Sequence, residues 1–195
     1  MQTINDKRMK RTKLMFHHAL LLLLQEKTFE EISISDIVRK AEVNRGTFYY
    51  HYEQKEDLLE EMVNTVINNM VVAFRKPFKP YQKMDINEIS IIPLFEHFLE
   101  NRVFYTTMLS NRVPIHLDER LLQTMEKNYL HNLEFFFPLD EKDVNKELFY
   151  SYKVHGLIGF ILNWIKNDFQ YPITYMAEQL VNIVTINTKT VYIKC

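Results

Sequence analysis

Glycine occurs only three times in these 195 residues, at 46, 156 and 159, and that scarcity constrains the fold more than any single motif. A many-stranded sheet asks for a turn about every 8–12 residues, and tight turns draw on Gly and Pro. The six prolines, at 77, 80, 93, 114, 138 and 172, instead fall as breaks between long uninterrupted stretches. The chain therefore reads as all-α, with about nine helices. Hydrophobic residues make up 47%, enough for a packed core, so a disordered or collagen-like chain is excluded. The length suits one ordinary domain or two small ones. The single cysteine, Cys195, excludes a disulfide framework within the chain and a cysteine-rich zinc site. The longest apolar stretches, Ala19–Leu24 and the interrupted Val154–Ile165, fall short of the roughly 20 residues of a membrane span. The polar, charged start has no small-residue cleavage site and does not read as a secretion signal. A cytoplasmic chain with no membrane partner is expected.

Net charge is −1, but its distribution is uneven. Residues 1–52 hold 9 Lys/Arg against 6 Asp/Glu, and residues 53–195 hold 15 against 19. Lys7, Arg8, Lys10, Arg11 and Lys13 crowd one short stretch. A basic end on an otherwise acidic chain suits contact with phosphates, and a solvated helix start is the plainer alternative.

Periodicity places the elements. Phe16, Ala19, Leu20, Leu23 and Leu24 form one helical face within Lys7–Glu26. Ser33 and Asp36 have capping-box spacing, and Ile34, Ile37, Val38 and Ala41 then follow at helical intervals. Asn44 is a good N-cap for a short helix over about Arg45–Tyr52, with Phe48 and Tyr52 inward. Helix, three-residue turn, helix over 33–52 is a helix-turn-helix layout, and helices this short need the first helix as a platform. A fourth helix runs from Lys55 to about Phe74, until Pro77 and Pro80 end it. Further helices are expected near 87–101, 101–110, 115–137, 145–169 and 175–192, with Pro93 kinking the first of these or delaying its start. The boundary between two domains, 1–70 and 71–195, is placed in or just before Arg75–Asp85.

The helix over 145–169 is apolar on two sides. Val154, Leu157, Ile158, Ile161 and Ile165 make one stripe; Leu148, Tyr152, His155, Gly156, Gly159 and Phe160 make another. One stripe faces its own domain, and the other suits a second copy of the chain. A four-helix dimer interface is expected from Gly156, Gly159, Phe160 and Asn163 with Leu180, Ile183 and Val184 of the last helix. A large monomeric core that buries both helices is the alternative.

The segment Ser33–Lys55 reads Ser-Ile-Ser-Asp-Ile-Val-Arg-Lys-Ala-Glu-Val-Asn-Arg-Gly-Thr-Phe-Tyr-Tyr-His-Tyr-Glu-Gln-Lys. It closely resembles the DNA-binding signature of the tetracycline-repressor (TetR) family, most densely over Val43–Tyr52, and the match covers residues 1–70 well. The resemblance implies an all-α fold with an N-terminal helix-turn-helix head and a C-terminal helical domain for ligand binding and dimerisation. It implies a sequence-specific, ligand-responsive repressor that binds a near-palindromic operator as a homodimer. A ligand-dependent activator, or a head that binds a protein, are the alternatives. Double-stranded DNA, a second copy and a small-molecule effector are the implied partners.

Physical reasoning supports the same face. With Phe48 and Tyr52 inward, the third helix turns Gly46, Thr47, Tyr49 and Tyr50 outward. Gly46 lets backbone approach DNA, Thr47 suits a phosphate or a thymine methyl, and Arg45 has the reach for a guanine or a phosphate. Ser33 and Ser35 are placed to bind phosphate at the start of the preceding helix. Asn44, His51 and Lys55 complete the candidate DNA-binding set. Tyr49 packing on the first helix, and His51 serving as a core or capping residue, are the alternatives. Thr28 and Glu42 stand where many family members have Gly, and Gln54 where many have a helix-capping side chain.

A candidate ligand pocket is expected from Phe95, Phe98, Tyr105, Met108, Met125, Tyr129, Tyr152 and His155, although such residues also build plain cores. The segment Leu94–Asn111 has a vague similarity to the C-terminal domain of regulators linked to dihydroxyacetone-kinase operons. No His-Glu-x-x-His, Gly-rich phosphate loop or nucleophile elbow occurs. No enzyme activity, catalytic residue, metal or cofactor is expected; His116 with Asp118 and Glu119 reads as a polar helix start.

Overall fold

The computed structural model describes residues 2–78, 85, 89–132 and 144–185, with side chains described for 7–78, 85, 89–128 and 144–185. Among them it contains nine helices and no strand: α1 (Gln2–Glu26), α2 (Ile34–Lys40), α3 (Arg45–His51), α4 (Lys55–Arg75), α5 (Ile92–Glu100), α6 (Arg102–Met108), α7 (Leu117–Asn132), α8 (Lys146–Lys166) and α9 (Ile173–Thr185). Pro93 does not kink α5. The helix starts one residue before it, where the missing N–H is not needed. The parts of the expected helices that fall on 87–88, 133–137 and 186–192 lie outside the described residues.

Contacts divide the chain into two units, residues 1–69 with 101–121, and residues 70–100 with 122–195. A single cut at residue 70 therefore does not describe the first unit, because α6 and the start of α7 belong to it. Their tie is local and polar as well as apolar. The Phe29 N–H donates to the Arg112 carbonyl at 2.9 Å, and the Arg112 guanidinium donates to the Gln25 carbonyl. Phe16, Leu20, Leu24, Ile37, Phe48, Leu58, Tyr105 and Leu121, all at most 1% exposed, form its interior.

In the second unit α5 packs on α9 and α8. The Phe95 ring lies 5.5 Å from Trp164 and 6.2 Å from Phe160. After α8 the chain turns through two consecutive left-handed residues, Asp168 (φ 52°) and Phe169 (φ 56°). Residues other than glycine pay strain there, so the turn needs support. Phe169 supplies it by burying its ring 4.9 Å from Trp164, whose indole N–H donates to the Tyr171 carbonyl at 3.0 Å.

Candidate nucleic-acid interface

Local chemistry fixes both ends of α2. Ser33 is its N-cap: the Ser33 hydroxyl accepts from the Asp36 N–H at 3.1 Å and donates to the Asp36 carboxylate at 2.9 Å, while the Ser33 N–H donates to the same carboxylate. Lys27 donates to that carboxylate at 2.9 Å and Arg39 at 2.6 Å. The Lys27 ammonium, then the Ser33 donors, hold the Asp36 carboxyl well below the usual carboxylate range. In the free chain the Ser33 hydroxyl is thus engaged in the cap, with its one O–H turned to Asp36 rather than outward. Ser35 remains exposed on the first turn.

The turn to α3 is a Schellman motif: the Val43 N–H donates to the Val38 carbonyl at 3.0 Å and the Glu42 N–H to the Arg39 carbonyl at 3.3 Å. It places Glu42 at φ 54°, the conformation for which Gly is suited. Thr28, the other non-glycine departure, is not strained: its N–H and hydroxyl both donate to Glu31 at 2.9 Å. Exchanging Glu42 for glycine relieves the left-handed strain but adds backbone entropy to the unfolded chain. Glu42→Gly is therefore expected to stabilise by about 0.5–1 kcal/mol, a rise of about 1–4 °C in Tm. A thermal melt that shows no gain would mean that the strain is not borne at this residue.

Asn44 caps α3, its side-chain oxygen accepting from the Thr47 N–H at 2.7 Å and the Thr47 hydroxyl at 2.9 Å. The inward side is held by one ring of α1: Phe16 lies 5.4 Å from Phe48, 5.9 Å from Tyr52 and 6.3 Å from His51, each edge to face. The Tyr52 hydroxyl donates to Glu61 of α4 at 3.0 Å, and Lys13 of α1 donates to the other oxygen of Glu61 at 2.5 Å. Glu61 therefore joins α1, the end of α3 and α4, a role its sequence position gives no hint of. His17, half-buried beside Glu61, has its pKa lowered chiefly by that burial. His51 is lowered chiefly by burial and next by Lys13, which disfavours a charged imidazole.

The outward side carries Arg45, Gly46, Tyr49 and Tyr50, all exposed, with Tyr50 70% and Tyr49 49% exposed. Tyr49 does not pack away on α1. Its hydroxyl accepts from the Arg45 guanidinium at 3.1 Å, and that guanidinium lies 5.6 Å from its ring centroid. A Cβ built on Gly46 would meet only the Asn44 side chain, at 3.4 Å, so the fold itself leaves room for alanine there. Any need for a bare Cα at this point comes from outside the chain.

Lys55 is held within the chain. Its ammonium donates to the carbonyls of Phe29 (2.7 Å), Ile32 (2.8 Å) and Glu30 (3.3 Å) and sits 4.5 Å from the Phe29 ring centroid. An ammonium has three N–H donors, and here all three are turned to the carbonyls before α2, so a phosphate would have to compete with them. At the start of α4, Asp57 reaches back to accept from the Glu53 and Gln54 N–H groups, at 3.1 and 3.0 Å. This supplies the cap that Gln54 lacks.

The remaining sites divide by burial. Phe95 and Phe98 are fully buried and Met125 is 1% exposed, all in the second unit; Tyr105 and Met108 are equally buried but belong to the first. The Tyr129 side chain lies outside those described. Tyr152, 73% exposed, and His155 face outward on α8 rather than lining a pocket, because Val154, Leu157, Ile158 and Ile161 take the inward side of that helix. With Leu148, Gly156, Gly159 and Asn163 they form one exposed stripe, and nothing lies within 4 Å of a Cβ built on either glycine. Phe160, Leu180 and Val184 are half-buried, and Ile183 is 52% exposed.

A capped helix-turn-helix held by α1 and α4, in a chain whose second unit is also all-helical, defines a helix-turn-helix protein of the bacterial regulatory class. Residues 18–62 match the model of bacterial regulatory proteins of the tetR family, and residues 87–186 match that of a transcriptional regulator C-terminal region. The chain belongs to the tetR family. It is 27% identical over 194 residues to the HTH-type transcriptional regulator YxbF of Bacillus subtilis (strain 168), an alignment that covers 93% of this chain. The chain spans about half of that relative, 46% of its length. Two solved structures share the fold. A TetR transcriptional regulator from Streptococcus agalactiae 2603V (22% identity, TM-score 0.59) is matched over 94% of this chain and 99% of that one. The dihydroxyacetone kinase operon activator DhaS (19% identity, TM-score 0.62) is matched over 89% and 93%. No helix among the described residues is long and apolar enough to cross a membrane.

Proposed function

We propose that this chain is a sequence-specific DNA-binding transcriptional regulator that acts as a homodimer and represses until a small molecule, taken up by the second unit, lowers its operator affinity. The observation that carries the DNA-binding part is the outward face of α3. Two tyrosines and an arginine stand exposed around a glycine, on a seven-residue helix whose other face is anchored by buried aromatic rings. Aromatic side chains left this exposed side by side are expected where a partner covers them. The seven residues fit a major groove, with Arg45 and Gly46 in the first turn, where base edges are reached. The uncovered stripe of α8 supports the dimer, because a long helix that leaves Leu148 and Tyr152 more than 70% exposed invites a second copy. Two such heads read a near-palindromic site with half-sites about 34–36 Å apart.

Fluorescence anisotropy with DNA from upstream of the chain's own gene, beside a scrambled duplex and over a salt series, tests this reading. Preference for the native duplex, with log K falling linearly against log salt, supports it; equal weak binding to both counts against a sequence reader. Tyr50→Ala is expected to lose about tenfold in affinity, roughly 1.4 kcal/mol, while the melting temperature stays, because the side chain is 70% exposed. Wild-type affinity in that variant would place the wrong face of α3 on the DNA. A promoter–reporter fusion, with the gene present and deleted, gives the sign of regulation.

A further inference from the structure

Among the described residues, Lys13 is the one of the five cations at the start of α1 with a carboxylate partner, Glu61. Lys7, Arg8, Lys10 and Arg11 are exposed, and among the described residues no carboxylate pairs with them. From Lys7 to Met15 no side chain is buried, and among the described side chains of α1 the first buried one is Phe16. Several turns of helix thus continue beyond the packing that holds the rest of α1. Lys7 with Lys10, Arg8 with Arg11 and Lys7 with Arg11 are like charges at (i, i+3) and (i, i+4), and Asp6, four before Lys10, is one negative charge against four positive ones. An array like this is relieved by a polyanion.

Position points to which polyanion. Phe16 packs on Phe48, His51 and Tyr52, so α1 crosses the last turn of α3 there, and the basic residues begin within one to three turns of that crossing. Lys7 stands nine positions before Phe16, about 13 Å along the axis. We propose that Lys7, Arg8, Lys10 and Arg11 form a second DNA contact surface, which grips backbone phosphates flanking the site that α3 reads. This extends the DNA-binding reading above and rests on it. A membrane surface fits less well, because an in-plane helix needs an apolar face beside its cations, and Met9 is the only apolar side chain from Lys7 to Thr12. Phosphate contacts of this kind carry affinity without sequence preference.

The test uses the full chain with Arg8→Gln, Lys10→Gln and Arg11→Gln together. The probes are a duplex enriched from a random pool by the wild-type protein and a random duplex of equal length. Each phosphate contact contributes about 0.9 to the slope of log K against log salt, so the slope is expected to fall by about 2–3. Affinity for both duplexes falls by the same factor, the preference between them is kept, and the melting temperature is unchanged or raised. A slope and affinity equal to the wild type overturn the proposal. So does loss of binding to phosphatidylserine vesicles with DNA binding intact, which would reassign the patch to membrane. A wild-type protein that enriches no duplex removes the parent reading and this one with it, an outcome distinct from an unchanged slope.

Discussion

Phe16→Ala is expected to cost the first unit about 3–5 kcal/mol, the range for deleting a fully buried aromatic side chain. The ring is 0% exposed and is shared by Phe48, His51 and Tyr52, so its loss removes the floor beneath α3 and leaves a cavity among rings that cannot collapse independently. A seven-residue helix has no stability of its own to fall back on. Against a total of about 5–15 kcal/mol for a typical domain, this is a large fraction. Urea unfolding followed by far-UV circular dichroism measures it. A midpoint shift worth less than about 1 kcal/mol would mean that α3 is held chiefly from elsewhere, with Glu61 and Tyr52 the next suspects.

Lys55→Met is expected to destabilise by about 2–3 kcal/mol, since hydrogen bonds to a charged group are worth more than neutral ones and the carbonyls left behind are partly buried. Methionine keeps most of the aliphatic stem over the Phe29 ring, so the loss isolates the ammonium. The two roles available to this lysine give opposite results. A phosphate ligand would leave unfolding unchanged and weaken DNA binding at every temperature. A clamp on residues 29–32 lowers the unfolding midpoint first, and DNA binding suffers only as α2 and α3 lose their placement. An unchanged midpoint with weakened binding would restore the phosphate role.

How much was legible in the sequence follows from the range of each interaction. Ser33 with Asp36, Asn44 with Thr47, and Phe48 with Tyr52 act within three or four residues, so the limits of α2 and α3 and the inward side of α3 could be read directly. The strain at Glu42 was also legible as a departure from glycine in a turn. The Lys55 clamp spans 23 to 26 residues, and the Glu61 junction reaches Lys13 across 48. Nothing in periodicity or spacing reports such partners. The same limit explains the placement of Tyr152 and His155. An aromatic and a histidine on a helix apolar on two sides suit a pocket or an outer face equally, and only packing decides between them. The membership of residues 101–121 in the first unit depends on long-range contacts of α6 with α1, which no local pattern encodes.

The pairing of Arg45 with Tyr49 has a consequence for fidelity. A free arginine on a helix surface samples many rotamers and can satisfy itself on several neighbouring base steps. Here the guanidinium is tethered by a hydroxyl at 3.1 Å and faced by a ring at 5.6 Å. The ordering of a long side chain, worth up to about 1.5–2 kcal/mol, is thus partly lost on folding rather than on docking. If α3 reads DNA as proposed, an arginine aimed in advance would tolerate fewer mismatched registers, and Tyr49→Phe, which keeps the ring but removes the hydroxyl tether, is then expected to narrow the gap in affinity between matched and mismatched duplexes.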